Sequence, residues 1–177
     1  MKTTGIIRRI DDLGRIVIPK ELRKSLRIKN GDSLEIFVDQ EDIILKKNSP
    51  MESIEEAAMK YVDSFYQVIK HNVIVADKDK VIAASGMLKK KYLGKKITEF
   101  TERSIERRDS FVERQKKLFS FVEGVEELGY YSFSSIVSDS DTIGCVIILS
   151  VDAPILESDE KLAVILSKLL SGKFLEN

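Results

Sequence analysis

Nine lysines and arginines fall within residues 1–30 of a 177-residue chain whose charges sum to zero: Lys2, Arg8, Arg9, Arg15, Lys20, Arg23, Lys24, Arg27 and Lys29. Only Asp11, Asp12 and Glu21 oppose them, so this stretch carries a local excess of plus six inside a sequence of net charge zero. Ammonium and guanidinium groups at this density bind phosphates through charge-assisted hydrogen bonds, and a basic head on a neutral body points to a polyanion partner.

Other reactive residue types are sparse. A single cysteine, Cys145, makes no disulfide within the chain, and one cysteine with one histidine, His71, supplies too few ligands for a zinc site. Cys145 stands in the apolar run Ile143-Gly144-Cys145-Val146-Ile147-Ile148-Leu149 and reads as a buried thiol. His71 precedes a strand with no carboxylate or nucleophile close in sequence, which argues against acid–base chemistry. No glycine-rich phosphate loop is found, and neither a catalytic set, a metal nor a resident cofactor is expected. The runs Lys89-Lys90-Lys91 and Lys95-Lys96 read as solvated faces that add at most weak DNA attraction. A composition of 43% apolar and 33% charged residues is that of a globular chain. With no run of about 18 apolar residues and no signal peptide, a soluble cytoplasmic protein is expected.

The elements that must carry the basic residues read as two strand pairs around a short helix. Gly5 to Ile10 and Arg15 to Ile18 flank a reversal at Asp12-Leu13-Gly14; Ser33 to Asp39 and Ile43 to Lys47 flank Gln40-Glu41-Asp42. Leu34, Ile36 and Val38 alternate with Glu35, Phe37 and Asp39, the period of a half-buried strand. Between the pairs, Pro19 suits the first helical position, Leu22 and Leu26 share a face, and Asn30-Gly31-Asp32 is a stop signal. Such a unit of about 50 residues buries too little surface to be stable alone. Interleaving hairpins from two chains would supply a core, and the two-fold axis would set two basic faces side by side.

The residues Gly5-Ile6-Ile7-Arg8-Arg9-Ile10-Asp11-Asp12-Leu13-Gly14-Arg15-Ile16-Val17-Ile18-Pro19, with Glu21-Leu22-Arg23 and Gly31-Asp32-Ser33-Leu34-Glu35-Ile36, resemble the swapped-hairpin DNA-binding domain of the AbrB family of bacterial transition-state regulators. The resemblance covers residues 1–48. It implies an intertwined dimer that contacts double-stranded DNA through Arg8, Arg9, Arg15, Arg23 and Lys24. Where the family commonly carries arginine, Lys24 keeps the charge but lacks the guanidinium fork. Swapped-hairpin domains also serve as antitoxins, so an antitoxin-like DNA- and protein-binding module is the alternative. An apolar, structured C-terminal half argues against it.

Ser49-Pro50-Met51-Glu52 reads as a capped helix start, and Met51, Ile54, Ala58, Tyr61, Phe65 and Val68 repeat at coiled-coil spacing. Residues 50–70 are therefore expected to form a linker helix, pairing between chains or packing on its own domain. Beyond it, strands are expected at Val73 to Ala76, Val81 to Ala84, Leu118 to Val122, Tyr130 to Val137 and Ile143 to Val151. Helices are expected at Leu88 to Leu93, Thr98 to Arg108, about Ser110 to Lys117, and from Ser158 to Phe174. The fold class is α+β: an antiparallel sheet with helices before, between and after it. This order resembles a GAF domain, implying that residues 71–177 form a sensor or oligomerisation domain with an unidentified small-molecule effector. A pocket between the sheet and the Leu93 to Lys117 segment is the expected sensor site. The combination of head and body resembles a family of sporulation-type transcription regulators, which implies a homotetramer built through both domains.

Overall fold

The computed structural model describes residues 5–28, 30–47 and 55–175, with side chains omitted at 47 and 173–175. The chain divides into two compact units, a head (residues 1–48) and a body (residues 49–177).

In the head, the hairpin read from alternation is present: β1 (Leu34–Asp39) and β2 (Asp42–Lys47) pair antiparallel across a two-residue turn at Gln40 and Glu41. Apolar residues occupy both of its faces. Ile36 stands opposite Leu45 and Val38 opposite Ile43, while Phe37 stands opposite Ile44 on the other side. Helix α1 (Lys20–Ser25) follows Pro19, which serves as the N-cap rather than the first helical residue. The expected stop at Asn30-Gly31-Asp32 is corrected. The helix ends at Ser25 with Leu26 as its C-cap, and Arg27 beyond it, at a φ of 52°, turns the chain so that its N–H donates to the Lys24 carbonyl and that of Ile28 to the Arg23 carbonyl. The first strand pair is also corrected. Residues 5–10 and 15–18 flank a tight turn but form no strand with one another, because their backbone pairing ends at Asp11 and Arg15.

The body is a five-stranded antiparallel sheet in the order β4-β3-β7-β6-β5, from β3 (Asn72–Asp77), β4 (Val81–Ala84), β5 (Ser110–Val122), β6 (Val125–Ser138) and β7 (Asp141–Ser150). Helices α2 (Glu55–Ile69) and α5 (Glu157–Leu175) contribute Ala58, Val62, Ala163, Leu166 and Leu170 to the core on one face, with Val73, Val75, Val146 and Ile148 from the strands. The other face carries Ile74, Ala76, Phe121, Phe133, Cys145, Ile147 and Leu149 beneath α3 (Lys89–Tyr92) and α4 (Glu99–Glu106). Central strands buried on both sides read as continuous apolar runs, as β3 and β7 do.

Helix α2 packs on its own domain, one of the two arrangements expected for it; the capping stretch Ser49 to Glu52, with Met51 and Ile54, lies outside the described residues. Residues 110–117 are the first half of β5, not a helix: Phe111 pairs with Phe133 and Val112 with Ser132, so ladder pairing overrides a polar composition. Gly129 lies inside β6, ahead of the start expected at Tyr130. A Cβ there would meet the Ser150 carbonyl oxygen at 2.3 Å, so only glycine allows β7 this close.

Candidate nucleic-acid interface

The turn that carries the head's basic residues is organised by one carboxylate. Asp11 Oδ1 accepts the N–H of Leu13 at 3.0 Å and of Arg15 at 2.8 Å, while Oδ2 accepts Arg15 Nε at 2.7 Å. Backbone bonds from Asp11 N–H to the Arg15 carbonyl and from Gly14 N–H to the Asp11 carbonyl close it, with Gly14 at a φ of 75°. The Arg15 N–H first, and its guanidinium second, hold the Asp11 carboxyl below the ordinary aspartate value. Arg15 is thereby oriented by its base while its side chain stays 71% exposed, so the remaining guanidinium nitrogens face solvent and are open to a phosphate or base edge. In the sequence Asp11 counts only as an opposing charge. Its place four residues before Arg15, with Gly14 between, is the signal of a side chain-closed turn.

The other expected contacts lie on the same unit. Arg8 and Arg9 precede the turn on exposed backbone, and Arg8 donates a long 3.4 Å bond to the Ile7 carbonyl. Arg23, on α1, is half-buried: Nη1 donates to Asn30 Oδ1 at 3.4 Å, and Nε is buried with no hydrogen-bond partner among the described residues. Lys24 is exposed on the next position of the helix. Lys2 and Lys29 lie outside the described residues.

Around these cations the head exposes thirteen large apolar side chains, from Ile6, Ile7 and Ile10 through Leu13, Ile16, Val17 and Leu26 to the hairpin. Ile7 is 88% exposed, Val38 77% and Ile36 67%, and no large apolar residue described in the head is buried. Both faces of the β1–β2 ribbon are bare.

The body's candidate residues are of another kind. Cys145 is fully buried, and burial pushes its thiol far above the ordinary value, leaving an inert core group. His71 does have a carboxylate near it, brought from far along the chain: Nε2 lies 3.5 Å from Asp159 Oδ2, which also accepts the Leu156 N–H before α5. The face expected to hold a sensor pocket carries a cluster of packed aromatic rings. Phe111 stacks on Phe133 at 4.9 Å, Phe119, Phe121 and Tyr131 meet edge to face, and Tyr92 is fully buried beside them. A shallow groove opens on the α5 side, lined by Arg114, Glu157, Glu160 and Lys161 with Val164 and Ile165.

Comparison with known proteins matches each unit to its own relatives. A family model described as stage V sporulation protein T C-terminal, transcription factor, matches residues 53–176. One described as antidote-toxin recognition MazE, bacterial antitoxin, matches residues 7–53. The chain is 47% identical over 163 residues to stage V sporulation protein T of Bacillus subtilis (strain 168), covering 91% of this chain and 92% of that protein. Over 50 residues it is 62% identical to the transition state regulatory protein AbrB of the same organism, covering 28% of this chain and 52% of that one. Among solved structures, the GAF domain of an Acinetobacter phosphoenolpyruvate-protein phosphotransferase shares the fold alone. Its TM-score is 0.55 at 14% identity, over 70% of this chain and 82% of that one.

Proposed function

The chain belongs to the stage V sporulation protein T family of transcription factors, and from that premise we propose that it regulates sporulation-type transcription by binding double-stranded DNA through an interlocked dimer of heads. The observation that carries this reading is the head's surface: a set of exposed cations on a unit whose large apolar side chains have no core of their own. Leaving thirteen such side chains in water is unfavourable by about 1.5–3 kcal/mol for each one that could be fully buried, so a second head is the natural cover. Two-fold pairing then doubles the cationic surface. Arg8, Arg9, Arg15, Arg23 and Lys24 supply phosphate contacts and register, and with no long recognition helix among the described residues of the head, sequence is read largely through DNA shape.

Sedimentation of the full chain should give a dimer or tetramer. DNA binding by fluorescence anisotropy should fall with a log–log salt slope near minus seven if about four phosphates per chain are neutralised. A monomer in solution, or a flat salt response, would overturn the reading. Arg8→Ala with Arg15→Ala should lower affinity at least tenfold without changing assembly.

The body is assigned to assembly and to sensing a small molecule, in a cytoplasmic, nucleoid-associated tetramer without enzymatic activity. A ligand on the aromatic face would have to enter by moving half-exposed Phe100 or Tyr131, since the centre is packed. Thermal shift against a metabolite library tests this. With no stabilising compound, the body is an oligomerisation module. The match of residues 7–53 to an antitoxin model favours a second reading, a toxin-binding module. Its test is capture of a toxin by the full chain, and the folded body in place of a short polar tail weighs against it.

A further inference from the structure

The head is not the only place where positive charge gathers. Residues 78–96 hold seven lysines and one acid, Asp79, an excess of plus six in nineteen residues, while residues 97–177 carry fifteen acids against nine lysines and arginines. In sequence the lysines fall in three groups, 78 and 80, 89 to 91, and 95 to 96, each of which alone reads as a solvated patch. The fold gathers them. Lys80 and Lys96 form an antiparallel bridge beside the edge strand β4, flanked by hydrogen bonds from Val81 N–H to the Lys95 carbonyl and from Ile97 N–H to the Asp79 carbonyl. Gly94 N–H returns to the Val81 carbonyl, and Lys95 N–H to that of Tyr92, which ties α3 and its three lysines to the same edge.

That geometry places Lys80 and Lys96 as a non-hydrogen-bonded cross-strand pair, the register in which opposed side chains come closest. Two ammonium groups in this position repel and cost stability. The Asp77 carboxylate accepts the N–H groups of both Asp79 and Lys80 at 2.6 Å and locks the preceding turn, which fixes the backbone of the pair while the long side chains ease the repulsion by splaying. Neutralisation within the chain is partial. Lys89 lies 3.9 Å from Asp63 and Lys91 pairs with Glu127 at 2.6 Å, and the Glu123 N–H donates to the Lys96 carbonyl. Lys90, Lys95 and Lys96 are exposed, and Lys78 and Lys80 partly so.

We propose that this lysine edge of the body is a second DNA-phosphate contact surface, which engages duplex beyond the segment held by the heads. The proposal rests on the DNA-binding reading of the head. Lysine is a compact, strongly hydrated point charge, suited to phosphate and not to bidentate base readout, so the edge adds affinity without sequence preference. A DNA partner fits better than an acidic protein because the head already delivers DNA to the chain. A surface linked to it acts at high effective concentration and needs little affinity of its own. The anion also relieves the Lys80–Lys96 repulsion that the unbound body retains.

The test uses the full chain, a long mixed-sequence duplex as probe and three proteins: the unaltered chain, the triple variant Lys90→Gln, Lys95→Gln, Lys96→Gln, and the same three positions as Arg. Each lost phosphate contact should make the log–log salt slope shallower by about 0.9, so the Gln variant should lose about 2 to 3 per chain, and the Arg variant should keep the original slope. The melting temperature of the Gln variant should hold or rise, which separates lost contact from lost fold. An unchanged slope in a Gln variant, with DNA still bound by the unaltered chain, overturns the second surface and leaves the head reading intact. Failure of the unaltered chain to bind DNA overturns both. If binding of poly-glutamate falls in the Gln variant while the DNA slope does not, the edge serves an acidic protein, and the proposal is again overturned.

Discussion

The head and the body spend their apolar residues in opposite ways. In the body, each central strand alternates between two buried faces, and Val146 and Ile148 on one side and Cys145, Ile147 and Leu149 on the other are all covered by the same chain. In the head, the β1–β2 ribbon is as apolar on both faces, yet Ile36, Val38 and Ile43 are each about 70% exposed. A ribbon with two apolar faces needs two covers, and the described residues of the head hold one short helix to offer. The contrast teaches that the body covers its apolar residues within one chain, whereas the described head residues leave theirs exposed. On the dimer proposed above, DNA binding and assembly stand or fall together.

The largest expected effect breaks that contrast directly. Val38→Glu changes a residue that is 77% exposed in the single chain, where a surface substitution would stay within about 0.5 kcal/mol. In an interleaved core it leaves an unpaired buried charge and should cost about 3–5 kcal/mol, with loss of dimeric heads in sedimentation and of DNA binding together. Neutral behaviour would show the head to be monomeric. The mirror experiment is Leu166→Ala in the body, a fully buried side chain whose truncation should cost about 3 kcal/mol. Chemical denaturation should move the body's transition alone, and the head should still bind DNA at low denaturant. If both transitions move together, the two units are coupled more tightly than their separate cores imply.

Legibility followed the same divide between periodic and non-periodic signals. Hairpin β1–β2 and strands β3, β4 and β7 were readable because Leu34-Glu35-Ile36 alternates and because Val73 to Ala76 and Ile143 to Leu149 are continuous apolar runs between turn residues. The first half of β5 was not. Glu113, Arg114, Gln115, Lys116 and Lys117 sit on an edge strand with solvent beside them, and charge on an edge is protective there rather than a sign of helix. The start of helix α1 is legible to within one residue, since Pro19 is its N-cap rather than its first residue, but its early end goes with Arg27 adopting a left-handed φ of 52°, which nothing in that residue type announces. At the interface, the cations were visible as a composition, whereas their order was not. Asp11 looked like a charge to be subtracted and is the group that aims Arg15. The lysine edge is the extreme case, since its members are separated by strand β4 and helix α3 and meet only through the Lys80–Lys96 bridge.

A smaller effect sharpens the account of the head's cations. Asp11→Asn keeps an oxygen for the N–H groups of Leu13 and Arg15 but removes the charge that holds Arg15 Nε. Released, the guanidinium regains rotamer freedom that binding must then remove, so DNA affinity should fall by about 1 kcal/mol, roughly fivefold, although the chain has gained positive charge. Simple charge counting predicts the opposite sign, tighter binding, which anisotropy at fixed salt distinguishes. Tighter binding would mean that Arg15 acts only as part of a diffuse field.

The smallest effect compares the two basic regions with each other. If the Lys80–Lys96 pair is retained for contact with DNA, then Lys96→Glu turns a repulsive cross-strand pair into an attractive one and should stabilise the body by about 0.2–1 kcal/mol while weakening binding to a long duplex. The same charge reversal at Arg8, on exposed backbone in the head with no ion pair among the described residues, should weaken binding without stabilising anything. Thermal melts and anisotropy on both variants read the difference. A stabilised Lys96→Glu protein with undiminished affinity would mean that the repulsion serves no contact with DNA, and the head alone would then account for the protein's hold on the duplex.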